Sequence, residues 1–172
     1  MTRAFIGVGS NIAPEENVRE ALRQLAQSVR FMSISTFYRQ PAVDHLEEPD
    51  FYNGVVAIDT DLAPMTLKWK VLRGIEANLG RRRSADRYAS RTIDLDLLLY
   101  GDVALSNTEL ILPDPDILKR AFIAVPLYEI APDLVLPGWG VPIRQVAERF
   151  TAEGMQPLRE YTRQLQNELL AG

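Results

Sequence analysis

Thr92-Ile93-Asp94-Leu95-Asp96-Leu97-Leu98-Leu99-Tyr100 is the stretch around which the rest of the chain can be organised. Its apolar content and its length read as a strand. Strand side chains alternate faces, so Thr92, Asp94, Asp96 and Leu98 are expected on one face and Ile93, Leu95, Leu97 and Leu99 on the other. The two acids then point together, with α-carbons about 6.5–7 Å apart at roughly 3.3 Å per residue. Carboxylates so placed can converge on one magnesium ion or bridge two, since magnesium takes one or two carboxylates together with waters and substrate phosphates. An antiparallel strand with one wet face would carry the same alternation without any function.

Immediately upstream runs Arg81-Arg82-Arg83-Ser84-Ala85-Asp86-Arg87-Tyr88-Ala89-Ser90-Arg91. A cationic loop beside a carboxylate strand suits a polyphosphate, because arginine forks bind phosphate oxygens bidentately. A solvated charge run, or a nucleic-acid patch with Tyr88 as a stacking residue, would have the same composition. Before the loop, Leu67, Val71, Leu72, Ile75 and Leu79 recur at helical spacing after Pro64, and Gly80 can end that helix. Further upstream, residues 51–60 and 33–39 read as strands flanking a loop (40–50) with two prolines and four acids. The chain opens with an apolar strand ending at Gly9 and an amphipathic helix over 14–29, whose apolar positions are Val18, Ala21, Leu22, Leu25, Ala26 and Val29. The order β-α-β-β-α-β predicts an α+β, ferredoxin-like fold: an antiparallel sheet with helices on one face. Beyond it, residues 117–130 read as a helix, 132–142 as turns, and Leu158, Tyr161, Leu165 and Leu169 as the apolar stripe of a C-terminal helix.

Composition narrows the function classes. The 172 residues are 47% hydrophobic with a formal net charge of -4, which fits one domain and gives no whole-chain attraction to nucleic acid or an anionic membrane. With no cysteine, thiolate zinc sites, disulfides and cysteine nucleophiles are excluded; His45, the single histidine, leaves no histidine cluster. No signal-peptide pattern and no apolar run near ~18 residues is present, so a soluble, cytoplasmic protein is expected.

Several motifs occur in order: Gly9-Ser10-Asn11, Phe37-Tyr38-Arg39-Gln40-Pro41, Pro49-Asp50-Phe51-Tyr52-Asn53, Ile75-Glu76 with Gly80-Arg81, Arg91 through Gly101, and Arg120-Ala121-Phe122 before Pro126-Leu127. With them, residues 4–137 resemble the 6-hydroxymethyl-7,8-dihydropterin pyrophosphokinases. The resemblance implies a magnesium-dependent enzyme that transfers pyrophosphate from ATP to the pterin hydroxymethyl group, releasing AMP, in folate biosynthesis. It implies one domain over 1–172, with a core of about 4–137 and a C-terminal helical extension of about 143–172, acting as a monomer on small molecules without nucleic acid or membrane.

By the same resemblance, Asp94 and Asp96 hold two magnesium ions, and Arg81, Arg83 and Arg91 act with them on the triphosphate. ATP would also meet Glu76, Tyr88, Leu97 and Arg120. The pterin would meet Gly9, Gln40, Pro41, Val43, Phe51, Asn53 and Phe122. Physical chemistry agrees: paired aromatic rings can stack on a flat heterocycle, and an asparagine amide offers a donor and an acceptor to its edge.

Two positions depart from the family pattern: Asp114 stands where a histidine is usual, and Leu110 where an arginine is frequent. An acid near the triphosphate is expected to weaken ATP binding unless it faces away, meets Lys119 or Arg120, or is protonated. Two other readings stay open on sequence grounds. An RNA-binding module would use the arginine loop and Tyr88 and have no use for Asp94; a scaffold retaining the pocket without turnover would have Asp114 as an early sign of decay.

Overall fold

A computed structural model describes residues 1–42, 47–80, 92–152 and 154–170. The chain forms β1 (Thr2–Ser10), α1 (Pro14–Leu25), β2 (Arg30–Ile34), β3 (Tyr38–Gln40) and β4 (Phe51–Thr60). A continuous helical stretch follows: α2 (Pro64–Thr66), a π-helical segment (Leu67–Leu72) and α3 (Arg73–Asn78). After β5 (Asp94–Tyr100) come the hairpin of β6 (Leu105–Ser106) and β7 (Ile111–Leu112), a 3-10 turn (Pro115–Leu118) and α4 (Ala121–Ile130). The chain closes with the hairpin of β8 (Val135–Leu136) and β9 (Val141–Pro142), then α5 (Ile143–Ala147), β10 (Gln156–Pro157) and α6 (Arg159–Leu169).

The main sheet has the order β10-β3-β4-β1-β5, with β2 also on β4, and every pairing is antiparallel. β1 lies between β4 and β5, and from Ala4 to Ser10 its residues are apolar or small on both faces. The two helices of the β-α-β-β-α-β core lie on one face, as expected, and α4 and α5, which follow the core, cover the other. Ala4, Ile6, Val8, Leu95 and Leu97 face α1 and the helix through Leu67, Leu72 and Ile75. On the other face, Phe5, Val55 and Ala57 meet Ile123, Ala124 and Leu127 of α4 and Ile143 and Val146 of α5.

Two register shifts correct the strand readings. The expected strand over 33–39 is split, because three residues lie between Ile34 and Tyr38 while only two lie between their partners Val56 and Asn53. The extra residue lets Ser35 bond both backbone groups of Val55, with Ser35 Oγ accepting from Val55 N–H at 2.9 Å, while Phe37 turns inward. In β5, Ile6 faces Leu97 but Phe5 faces Leu99. That bulge puts Leu99 in the same core as Leu98 rather than with Ile93, Leu95 and Leu97 as alternation predicts.

Gly54 accommodates the Phe37 ring: a Cβ there would lie 2.7 to 2.8 Å from three of its carbons, and the ring is fully buried. Gly54→Ala is expected to destabilise the fold by about 1–3 kcal/mol through overpacking, read as a lower urea midpoint. The expected C-terminal helix is α6, and it shares the core behind the sheet through Tyr161 and Leu165. Thr162 Oγ1 accepts from Phe37 N–H at 2.8 Å, and Arg19 and Arg23 of α1 pair with Glu168. Among the described residues, no helix is long and apolar enough to cross a membrane.

Candidate active site

The face of the sheet shared with α4 is left open beyond that helix, and its residues follow from register. Gln40 of β3 lies opposite Phe51, Asn53 of β4 opposite Gly9, and Gly9 and Gly7 of β1 opposite Asp94 and Asp96 of β5. Side chains of one face therefore run Gln40, Phe51 and Asn53, two glycines, then the acids. The glycines leave bare backbone between the amide and the carboxylates. A Cβ at Gly9 would lie 2.7 Å from Asn53 Oδ1, so the close approach itself requires glycine.

These residues form the floor of a cleft of about 580 Å³. One wall is the start of α4, with Arg120, Phe122 and Ile123; the other combines Lys68, Trp69 and Arg73 with the 107–111 segment and Asp114 to Asp116. Ser10, fully buried, donates to Thr92 C=O at 2.5 Å and so ties the end of β1 to the entry of β5. Asn11 Nδ2 donates to Pro49 C=O at 3.1 Å, holding the approach to β4 against the same point.

Asp96 is the electrostatic centre of the cleft. Desolvation and the neighbouring Asp94 and Asp114 carboxylates push its carboxyl up to about 8, with Arg73 opposing. Its side chain is 41% exposed, so water weakens both the desolvation and the repulsion while the shift stays upward. Such a cluster of like charges favours a cation. Among the described residues, no group of three or more His, Cys, Asp or Glu could hold a metal ion.

Of the residues anticipated from sequence, Gly9, Gln40, Pro41, Phe51, Asn53, Asp94, Asp96, Leu97, Arg120 and Phe122 all border the cleft. Leu97 does so with a side chain 5% exposed in the core behind the sheet. Glu76 is placed differently: it is 3% exposed and does not border the cleft, and its carboxylate accepts from Leu95 N–H and from Arg73. Arg81, Arg83, Tyr88, Arg91, Val43 and His45 lie outside the described residues. Asp114 does face the cleft; its carboxylate also caps the 3-10 turn by accepting from Asp116 N–H at 2.9 Å.

Arg73, Trp69 and Lys68 were not anticipated. The apolar stripe of the helix gives no sign of them, although Trp69 and Arg73 stand four apart and so share a face other than that of Leu72 and Ile75. Lys68 Nζ lies 4.7 Å from the Trp69 ring centroid and donates to Glu109 C=O at 3.0 Å, linking the helix to the 107–111 segment.

Comparison with known proteins bears on this arrangement. The 7,8-dihydro-6-hydroxymethylpterin-pyrophosphokinase (HPPK) family matches residues 5–132. The chain is 37% identical over 158 residues to the 2-amino-4-hydroxy-6-hydroxymethyldihydropteridine pyrophosphokinase of Haemophilus influenzae, covering 90% of this chain and 97% of that protein. It is 39% identical over 159 residues to the enzyme of that name from Methylorubrum extorquens, covering 91% and 98%. A folic acid synthesis protein of Pneumocystis carinii is 31% identical over 156 residues, 90% of this chain but 21% of that protein. In fold, the chain is similar to the crystal structure of Plasmodium falciparum wild-type HPPK-DHPS with SDX-DHP, with a TM-score of 0.68 at 14% identity, covering 91% of this chain and 47% of that one. The chain thus spans about half of that longer polypeptide and shares its arrangement of helices and antiparallel sheet. Matched over most of its length, the chain belongs to the 7,8-dihydro-6-hydroxymethylpterin-pyrophosphokinase family.

Proposed function

We propose that the cleft is where this pyrophosphokinase of folate biosynthesis binds both substrates, with the pterin over Asn53 and between Phe51 and Phe122, and the ATP phosphates over Asp94 and Asp96. The observation that carries the division is the order of side chains across the sheet: amide and aromatics at one end, carboxylates at the other, and bare glycine backbone between them. The pterin hydroxymethyl oxygen attacks the β-phosphorus of ATP in line. The bond from that phosphorus to the α,β-bridging oxygen breaks, AMP leaves with that oxygen, and the hydroxyl proton passes to solvent.

Asp94 and Asp96 fit magnesium, two ions being the count we propose, by their shared face, their mutual repulsion and their hard oxygens. When bound, magnesium neutralises phosphate charge as it builds toward the transition state. Arg120 at the start of α4 contributes positive charge from the opposite wall, and Arg81, Arg83 and Arg91 are proposed to contact the triphosphate, with Tyr88 and Val43 completing the two pockets. Catalysis then rests on positioning and charge, without an assigned general base. The strand order supports a ferredoxin-like core within a single domain, which we propose acts as a monomer.

The reading is tested by AMP release from ATP and magnesium, with and without 6-hydroxymethyl-7,8-dihydropterin, in the wild type and in Asp94→Asn. Pterin-dependent AMP is expected in the first and not the second. AMP formation that survives the substitution would overturn the assignment of the acids.

A further inference from the structure

β5 ends the main sheet, so beyond Asp94 and Asp96 no further strand fixes its outer side among the described residues. An outer strand carrying two functional carboxylates needs another restraint, because unpaired edge backbone is the part of a sheet most free to shift. The restraint comes from side chains of the helix behind the sheet. Glu76 Oε2 accepts from Leu95 N–H at 2.9 Å, and Arg73 Nη1 donates to Leu95 C=O at 2.9 Å. Arg73 Nη1 also donates to Glu76 Oε1 at 3.1 Å, closing the pair into one unit. Both backbone groups of Leu95 are thereby occupied, and Leu95 is the residue between the two acids.

In a strand the backbone groups of successive residues point to opposite edges. Leu95 turned outward therefore leaves Asp94 and Asp96 bonded inward to β1, opposite Gly9 and Gly7. Arg73 starts from the helix on the far face of the sheet, passes the edge at Leu95 and borders the cleft, with Nη2 3.9 Å from Asp96 Oδ1. Its side chain is 18% exposed, and its carbon Cζ lies 5.8 Å from the Trp69 ring centroid, so the fork is packed in place.

We propose that Arg73 and Glu76 are positioning residues that set the separation and direction of the Asp94 and Asp96 carboxylates by gripping Leu95. This rests on the reading of those carboxylates as the cation seat. It assigns Glu76 to the support of the strand instead of to contact with nucleotide. Removal of a partner that orients metal ligands typically lowers metal affinity or activity about 10–100-fold. Arg73→Met and Glu76→Gln are expected to lower kcat and the manganese-dependent affinity for α,β-methylene-ATP by about that factor. Pterin affinity should be unchanged, and exchange of the Leu95 amide hydrogen, followed by NMR, should quicken. Arg73→Lys should fall between, since a lysine cannot present two nitrogens at fixed spacing.

Two results are decisive against the idea and can be told apart. Manganese-dependent nucleotide binding that survives Asp96→Asn would remove the cation seat, and the clamp with it. Binding lost in Asp96→Asn but unchanged in folded Arg73→Met and Glu76→Gln would remove the clamp alone. A variant that fails to fold is replaced by the other, since Arg73→Met removes the donor to Leu95 C=O while Glu76→Gln leaves one acceptor oxygen for both Leu95 N–H and Arg73.

Discussion

Asp96→Asn is expected to lower pyrophosphate transfer by about 10²–10⁴-fold while making the free protein more stable at neutral and alkaline pH. The loss follows from removing one of two carboxylates that share a face over the cleft. The gain follows from the desolvation of Asp96 together with repulsion from Asp94 and Asp114, which hold its carboxyl up to about 8 against its ordinary 3.8. A carboxyl with a raised folded value binds its proton more tightly folded than unfolded, so its contribution is fully present below 3.8 and is lost as pH rises through about 8. Asparagine stays neutral throughout. Wild type and variant should therefore melt together near pH 3.5 and diverge as pH rises. Because the side chain is 41% exposed, solvent screening reduces the effect to about 1 kcal/mol, or roughly 2–4 °C in Tm for a chain of this size. Melting curves in EDTA from acid to alkaline pH check this. A variant less stable than wild type above pH 8 would contradict the charge cluster.

At the other end of the cleft, Asn53→Ala is expected to weaken pterin binding by about 10–100-fold, the cost of about 1–3 kcal/mol for buried groups left unpaired. Asn53 is 8% exposed and its amide is set by the bare backbone of Gly9 opposite. Gly9→Ala should produce a similar loss while Asn53 itself is kept, because the new methyl would stand 2.7 Å from Asn53 Oδ1 and force the amide to turn. Calorimetric titration with the pterin, beside titration with α,β-methylene-ATP and magnesium, separates the two ends. Nucleotide affinity falling as far as pterin affinity in both variants would mean the cleft is not divided in this way. Gln40 adds a detail on the same side: its Oε1 is buried without a hydrogen-bond partner among the described residues, an acceptor that a donor on the heterocycle edge would satisfy.

Much of this was legible in the sequence because it is local. The Thr92–Tyr100 alternation placed Asp94 and Asp96 on one face, and the motifs around Gly9, Asn53 and Phe122 marked the residues that border the cleft. Local periodicity states which side chains share a face, and that much survives folding wherever register holds. It failed at Leu99, where one extra residue in the ladder reverses the alternation, and over 33–39, where Phe37 turns in toward Gly54. Bulges depend on the partner strand, which periodicity does not contain.

The covering of both faces of the sheet, and the roles of Arg73 and Glu76, were decided by the tertiary structure. α4 reads as an apolar segment whichever face it covers, and only packing puts it on the face opposite α1. Arg73 looks like an ordinary polar position of an amphipathic helix; it meets the carboxylates because its helix lies along the open edge of β5, within one side chain's reach of Leu95. Sequence by itself determined the chemistry available, two carboxylates on a strand with a cationic loop, an amide and aromatic rings. Tertiary structure decided their order across the sheet and what holds the outer strand still, since both depend on which strands pair and which side chains can pass an edge.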